Sequence, residues 1–139
     1  MFDAHCHLDL CLEDPKTLLS RAHEAGVTDL MVAGVQAKNW VNQNDLAGPG
    51  VYVAWGVHPW RVAHAPNTWR TEIGQLESTL NQPPIPPHAL GETGLDYGKK
   101  LCDSSHKIQR EAFRLQLQLA KSYALPVILH IVRAHNDAI

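Results

Sequence analysis

His5 and His7 stand one residue apart at the end of the first hydrophobic run, Met1-Phe2-Asp3-Ala4-His5-Cys6-His7. Alternate residues of a β-strand project to the same side, so this spacing sets two imidazoles next to each other in a metal-ligand geometry. A later apolar stretch runs into Gly91-Glu92-Thr93-Gly94-Leu95-Asp96, and another, Pro126-Val127-Ile128-Leu129, runs into His130. Glu92 lies between glycines, as expected where backbone must approach a ligand closely. The pattern reads as a hydrolase site, or part of one.

Each of these positions falls at the carboxyl end of an expected strand, where parallel α/β enzymes build their sites. The patterning predicts strands over 2–7, 28–34, 51–57, about 88–92 and from 126 onward. The fourth is expected to be short, because Pro83-Pro84-Ile85-Pro86-Pro87 reads as a stiff extended loop and Pro87 lacks a donor. Between them, Asp14-Pro15 and Gly26 bracket a helix over 16–25, and further helices are expected around 38–46, 68–80 and 105–123. On the last, Ile108, Ala112, Leu115 and Leu119 form an apolar stripe flanked by Phe113, Leu117 and Ala120. His58-Pro59-Trp60 closes the third strand, and 97–104 is a loop. Strands alternating with helices argue for an α/β fold of about five parallel βα units. A complete (β/α)8 TIM barrel needs about 250 residues, so a chain of 139 residues suits a smaller open sheet or a partial barrel.

Composition narrows the function classes. Lys+Arg 12 against Asp+Glu 14 leaves a formal charge of −2, which argues against a strongly basic nucleic-acid footprint. The 3 cysteines, Cys6, Cys11 and Cys102, lack CxxC spacing and read as reduced thiols, with Cys6 a small contact on the strand face opposite the histidines. No secretory leader and no membrane-length apolar run is evident, so a soluble cytoplasmic protein is expected.

Five motifs in order give the chain a family resemblance. Phe2-Asp3-Ala4-His5-Cys6-His7 resembles the F-[IV]-D-[TS]-H-x-H opening of the TatD family of metal-dependent hydrolases, with one residue missing. Gly56-Val57-His58-Pro59 is similar to its G-[IVL]-H-P, and Gly91 to Asp96 to its G-E-[IT]-G-L-D. Gln109 to Ala120 resembles its Q-x-x-x-F-x-x-Q-L-x-L-A helix, and Pro126 to Arg133 its P-V-x-x-H-x-R. The resemblance runs over essentially the whole chain and implies an amidohydrolase-like TIM barrel. It implies that His5 and His7 bind a first divalent metal, that Glu92 bridges to a second, and that His130 belongs to the second. Imidazole and carboxylate suit zinc, manganese or magnesium, and a shared carboxylate holds two cations close enough to activate one water. The implied reaction is phosphodiester hydrolysis, of the 3′→5′ deoxyribonuclease type, with DNA as substrate.

The same resemblance places His58, Asp96 and Arg133 near the substrate, Arg133 as a phosphate contact. Asp3 is expected to support the metal site from behind or to cap its strand. Trp55, Trp60 and Tyr97 stand at strand ends, where aromatic residues are more often core or rim than platforms for bases. The family pattern continues with a further histidine ligand and an aspartate in a T-D-[TSA]-P-like stretch, and the chain stops at Ile139 before either. The expectation is therefore a shortened form of a full-length hydrolase, ahead of completion by a second copy through the open sheet edges. Two other functions compete: an inactive fragment acting by self-association, and an amide or nucleobase hydrolase. The latter enzymes typically bridge their metals with a modified lysine, so Glu92 favours the phosphodiesterase.

Overall fold

The computed structural model describes residues 1–81 and 86–139, so Pro83, Pro84 and Ile85 of the expected proline-rich loop lie outside the described residues. Five parallel strands, β1 (Phe2–Cys6), β2 (Asp29–Ala33), β3 (Val51–Trp55), β4 (Ala89–Asp96) and β5 (Val127–Val132), pair in sequential order within one sheet. Between and after them come α1 (Pro15–Glu24), α2 (Ala37–Leu46), α3 (Pro59–His64), α4 (Trp69–Asn81), α5 (His106–Ser122) and α6 (His135–Ala138). Sequential parallel strands joined through helices are the repeating unit of a TIM barrel, and the sheet is a curled part of one.

Local chemistry explains the elements. Asp14 Oδ2 accepts from Thr17 N at 3.0 Å and Pro15 opens the first turn, so α1 starts where its orphan donors are covered. In α4, Trp69, Ile73, Leu76 and Leu80 fall at helical spacings and are buried against Trp40, Trp55, Val57, Val62 and Leu90 in the main core. A second cluster, Leu8, Leu30, Val32, Val51 and Val53, lies under α1 and α2, with half-buried Cys6 packed against it. All 3 cysteines are free thiols. The outer strands are barely covered: Phe2 of β1 is 52% exposed and Leu129 of β5 50%.

Three sequence expectations need correction. The fourth strand is not short: it spans 8 residues, all of them buried. Gly91 and Gly94 do not end it, because Thr93 to Asp96 go on pairing with Leu129 to Val132. His58-Pro59-Trp60 is not merely a strand end, because Pro59 begins α3 and His58 caps it, Nδ1 accepting from Trp60 N at 3.0 Å. The buried arc of α5 is Gln109, Ala112, Phe113, Gln116 and Ala120, while Leu115 and Leu117 are on its exposed side. Two buried glutamines thus take places that an apolar count assigns to leucine.

Candidate metal centre

A break in strand pairing creates the space for the site. β3 pairs with β4 only at Ala54↔Ala89 and Trp55↔Leu90. Beyond that point Gly34 N donates to Gly91 O at 3.2 Å and Glu92 N to Gly34 O at 2.7 Å, so the end of β2 meets β4 directly. Glycine makes this approach feasible: a Cβ on Gly56 would lie 2.6 Å from Gly91 C, and one on Gly34 2.6 Å from Ala54 O. Gly94, at φ +147°, plays the same part toward β5, since a Cβ there would overlap His130 O. Glu92 is thereby carried to the middle of the sheet's carboxyl end, with β1 on one side and β5 on the other.

Glu92 is 3% exposed and each of its oxygens faces a different pair of imidazoles. Oε2 lies 3.2 Å from His5 Nε2 and 3.4 Å from His7 Nε2, and those two nitrogens are 3.4 Å apart. Oε1 lies 2.9 Å from His130 Nδ1 and 3.7 Å from His58 Nε2. His5, His7 and Glu92 form one group with ligand-like spacing, and His58, Glu92 and His130 form another. Buried Oε2 makes no hydrogen bond of sound geometry although two ring nitrogens face it. A buried carboxylate oxygen left over between imidazoles fits a divalent cation in both charge and donor chemistry.

Ring tautomers separate the ligands from their neighbours. His7 Nδ1 lies 3.1 Å from Ala33 O, which can only accept, so the proton sits on Nδ1 and Nε2 is free to ligate. His130 Nε2 lies 2.9 Å from Asp96 Oδ2, which leaves its Nδ1 toward Glu92, the carboxylate–histidine pairing that orients a ring for ligation. His58 is the reverse case. Its Nδ1 accepts from Trp60 N, so the neutral ring carries its proton on Nε2, directed at Glu92 and, at 3.1 Å, at His130 Nδ1. His58 therefore stands among the ligands as a hydrogen-bond donor.

Charge follows the same contacts. Burial alone would raise the Glu92 carboxyl, but the imidazoles of His130 and His7 beside it, with His58 and His5 nearby, outweigh it and hold the group well below the carboxylate range. The Glu92 carboxylate beside them raises His7 and His130 above the ordinary imidazole value, against the effect of burial. Burial pushes His58 down to about 4, so it is neutral near pH 7. Asp96 is lowered too, since its bonds from His130, Trp60 and Gly98 N outweigh burial.

The remaining sequence candidates are placed as follows. Asp96 is buried behind His130 instead of open to a substrate: Oδ2 accepts from Trp60 Nε1 at 2.6 Å and His130 Nε2 at 2.9 Å, and Oδ1 from Gly98 N at 2.7 Å. Arg133 is exposed at the end of β5 in the left-handed region, φ +52°, and makes no hydrogen bond or ion pair among the described residues. Asp3 caps its own strand, Oδ1 accepting from His5 N at 3.1 Å. Trp55 belongs to the core, while Trp60 is at the rim.

The motif of Gln109 to Ala120 contained, without assigning them a role, the two glutamines that hold this end of the sheet in place. Gln116 Oε1 accepts from Val57 N at 2.8 Å and its Nε2 donates to Val57 O at 3.0 Å. Gln109 repeats the contact on Asp96, accepting from its N at 2.7 Å and donating to its O at 3.0 Å. Each amide satisfies both backbone groups of a residue at the end of its strand, one adjoining His58 and the other Asp96 itself. The available signal was the pair of glutamines seven residues apart on a helix face otherwise made of Ala112, Phe113 and Ala120.

The family model for TatD-related DNase matches residues 2–139. An uncharacterized metal-dependent hydrolase of Escherichia coli K12, YjjV, is 35% identical over 96% of this chain and 51% of its own length. A protein of Pantoea vagans named 3′-5′ ssDNA/RNA exonuclease TatD is 37% identical over 88% of this chain and 45% of its own. The chain spans about half the length of these curated relatives. The crystal structure of E. coli YjjV superposes with a TM-score of 0.87 at 33% identity, covering 99% of this chain and 53% of that one. An uncharacterized amidohydrolase from Saccharomyces cerevisiae shares the fold, with a TM-score of 0.74 at 22% identity.

Proposed function

Because this chain belongs to the TatD-related DNase family, we propose that it is the N-terminal part of a metal-dependent hydrolase barrel that cleaves phosphodiesters, as a 3′→5′ deoxyribonuclease on single-stranded DNA. The observation that carries the reading is the division of one buried carboxylate between two imidazole groups. That division suits a bridging ligand of two divalent ions, Mg, Mn or Zn. His5 Nε2, His7 Nε2 and Glu92 Oε2 would hold the first, and Glu92 Oε1 with His130 Nδ1 the second. Such a pair, when bound, supplies Lewis-acid polarisation of a phosphoryl oxygen and a water acidic enough to deprotonate near neutrality.

The chain's own groups prepare the rest. Asp96 fixes the His130 ring, and the Ala33 carbonyl fixes that of His7. His58, neutral and capping α3, offers an Nε2–H donor toward the space beside Glu92, where a phosphodiester oxygen can accept it. Arg133 offers a guanidinium, unpaired among the described residues, at the same end of the sheet.

The test is metal content by elemental analysis, with digestion of 5′-labelled single-stranded DNA in Mg²⁺ or Mn²⁺. About two ions per chain, shortening from the 3′ end, and loss of both in Glu92→Gln are expected. A chain that takes up no divalent ion and leaves the oligonucleotide intact overturns the proposal.

A further inference from the structure

Next to the metal centre, on the far side of Asp96, lies a second depression of about 380 Å³ lined by Trp60, Asp96, Lys99, Lys100, Val132 and Arg133. It contains three cationic side chains, none of which makes a hydrogen bond or ion pair among the described residues. Its single carboxylate, Asp96, already serves three donors and is 5% exposed, so it leaves the cations unneutralised. The depression is therefore built for an anion.

Trp60 adds a second recognition element. Its indole is 39% exposed, unusual for a residue held by a 2.6 Å hydrogen bond from Nε1 to a buried carboxylate. That bond fixes the ring while part of the side chain stays exposed, with the Lys100 ammonium 5.9 Å from the ring centroid and the His64 ring also 5.9 Å away. Arg133 enters from β5 with its backbone in the left-handed region, a conformation that side chains rarely adopt. A fixed aromatic face with unpaired lysines and an arginine around it is the combination that holds a nucleotide, its base stacked and its phosphate paired.

We infer that Trp60, Lys99, Lys100 and Arg133 form a nucleotide subsite that holds the residue of a single-stranded nucleic acid next to the scissile phosphodiester. The inference rests on the phosphodiesterase reading above and deepens it. Asp96 joins the two sites physically: one of its oxygens accepts from both Trp60 and His130. A base stacked on Trp60 thus places the strand one side chain away from the metal ligands, and the basic rim carries its backbone.

The experiment is fluorescence anisotropy of a labelled oligothymidylate titrated with the protein in EDTA, repeated over a salt series. Lys99→Gln/Lys100→Gln/Arg133→Asn is the test variant, asparagine being tolerated at positive φ. Wild type should bind, and the variant should bind at least tenfold more weakly, with the salt-dependence slope reduced by about 2, since each lost phosphate contact removes about 0.7. Trp60→Leu should weaken binding with no change in that slope, separating stacking from charge. Unchanged affinity in the triple variant overturns the subsite. Competition by thymidine 5′-monophosphate at the affinity of the oligonucleotide overturns the strand reading in favour of a free-nucleotide site. Hydrolysis of bis(p-nitrophenyl) phosphate with Mn²⁺, measured on wild type, separates the two readings. Hydrolysis without oligothymidylate binding overturns this inference and leaves the phosphodiesterase intact. Salt-sensitive binding lost in the triple variant, without any hydrolysis, supports the subsite and counts against the phosphodiesterase.

Discussion

Strand β4 is buried along all 8 of its residues, whereas β1 is exposed at every position but Cys6. Both deliver ligands to one centre. Glu92 arrives on a backbone pressed against Gly34 and Gly56, paired with β5 and, at Asp96, gripped by Gln109. His5 and His7 arrive on an edge strand, held by the Ala33 carbonyl and by Cys6 beneath them. The carboxylate side of the site is thus assembled by folding itself. The His5–His7 side has fewer packed partners, the Ala33 carbonyl and Cys6 being the main ones. Such a division puts the expensive step, burying an anion, where packing is strongest, and keeps the open edge for exchange with solvent.

Four measurements would break or sharpen this contrast, and the largest effect is expected at its centre. Glu92→Gln removes the charge that both imidazole groups share, so metal content should fall to near zero and DNA cleavage by roughly 10²-fold or more, beyond the loss typical of a residue that merely orients a ligand. Gln116→Leu comes next. It leaves the amide and carbonyl of Val57 without partners, which should cost about 2–4 kcal/mol in denaturant unfolding, while His5→Ala on the exposed strand should shift stability by no more than about 0.5 kcal/mol. Equal losses would erase the distinction between the two sides.

Adding Mn²⁺ at a hundredfold excess over its dissociation constant should stabilise the fold by about 2.7 kcal/mol for each ion bound. Hydrogen exchange should slow mostly in β1 and little in β4. Protection gained equally in both strands would mean that the edge is already ordered without a cation.

The smallest effect is on pH dependence in EDTA. His58 falls from 6.5 to about 4 on folding, so its contribution is complete above 6.5 and is lost as pH drops through about 4. His7 and His130 are raised, so theirs is complete below 6.5 and is lost as pH rises through their folded values. The metal-free melting temperature should therefore peak near 6.5 and decline on both sides. Below about 4.5 the depressed Glu92 and Asp96 carboxyls add a loss of their own, so replacing His58 with Gln should flatten only the stretch between about 4.5 and 6.5; an unaltered slope there would show that His58 is not buried as a neutral ring.

Much of this was legible in the residues, and the failures have physical causes. Strand and helix order followed from apolar periodicity and from punctuation such as Asp14-Pro15 and Gly26. The clustering of His5, His7, Glu92 and His130 was expected from their placement toward the carboxyl ends of parallel strands, although β4 and β5 run on past Glu92 and His130. The extent of β4 was hidden because the prolines before it read as cutting the strand short and Gly91 and Gly94 as room for a ligand, whereas here the glycines allow close strand approach. Gln109 and Gln116 were hidden because amphipathic reasoning sorts polar side chains to the outside, and a buried amide that satisfies a strand end violates that sorting. The proton position on His58 depends on α3, a six-residue helix that the strand reading of Val57-His58 passed over.

The two glutamines give α5 one more property. Seven residues are about 10.5 Å of helix rise, so the helix acts as a ruler laid across the ends of β3 and β4, with one amide at each mark. Lengthening the ruler by one residue between the marks would turn one amide about 100° away from its strand. Relatives of this chain can therefore vary the exposed side of α5 freely, but an insertion or deletion within 109–116 would have to be matched by re-spacing the strands, and with them the distance from His58 to Glu92.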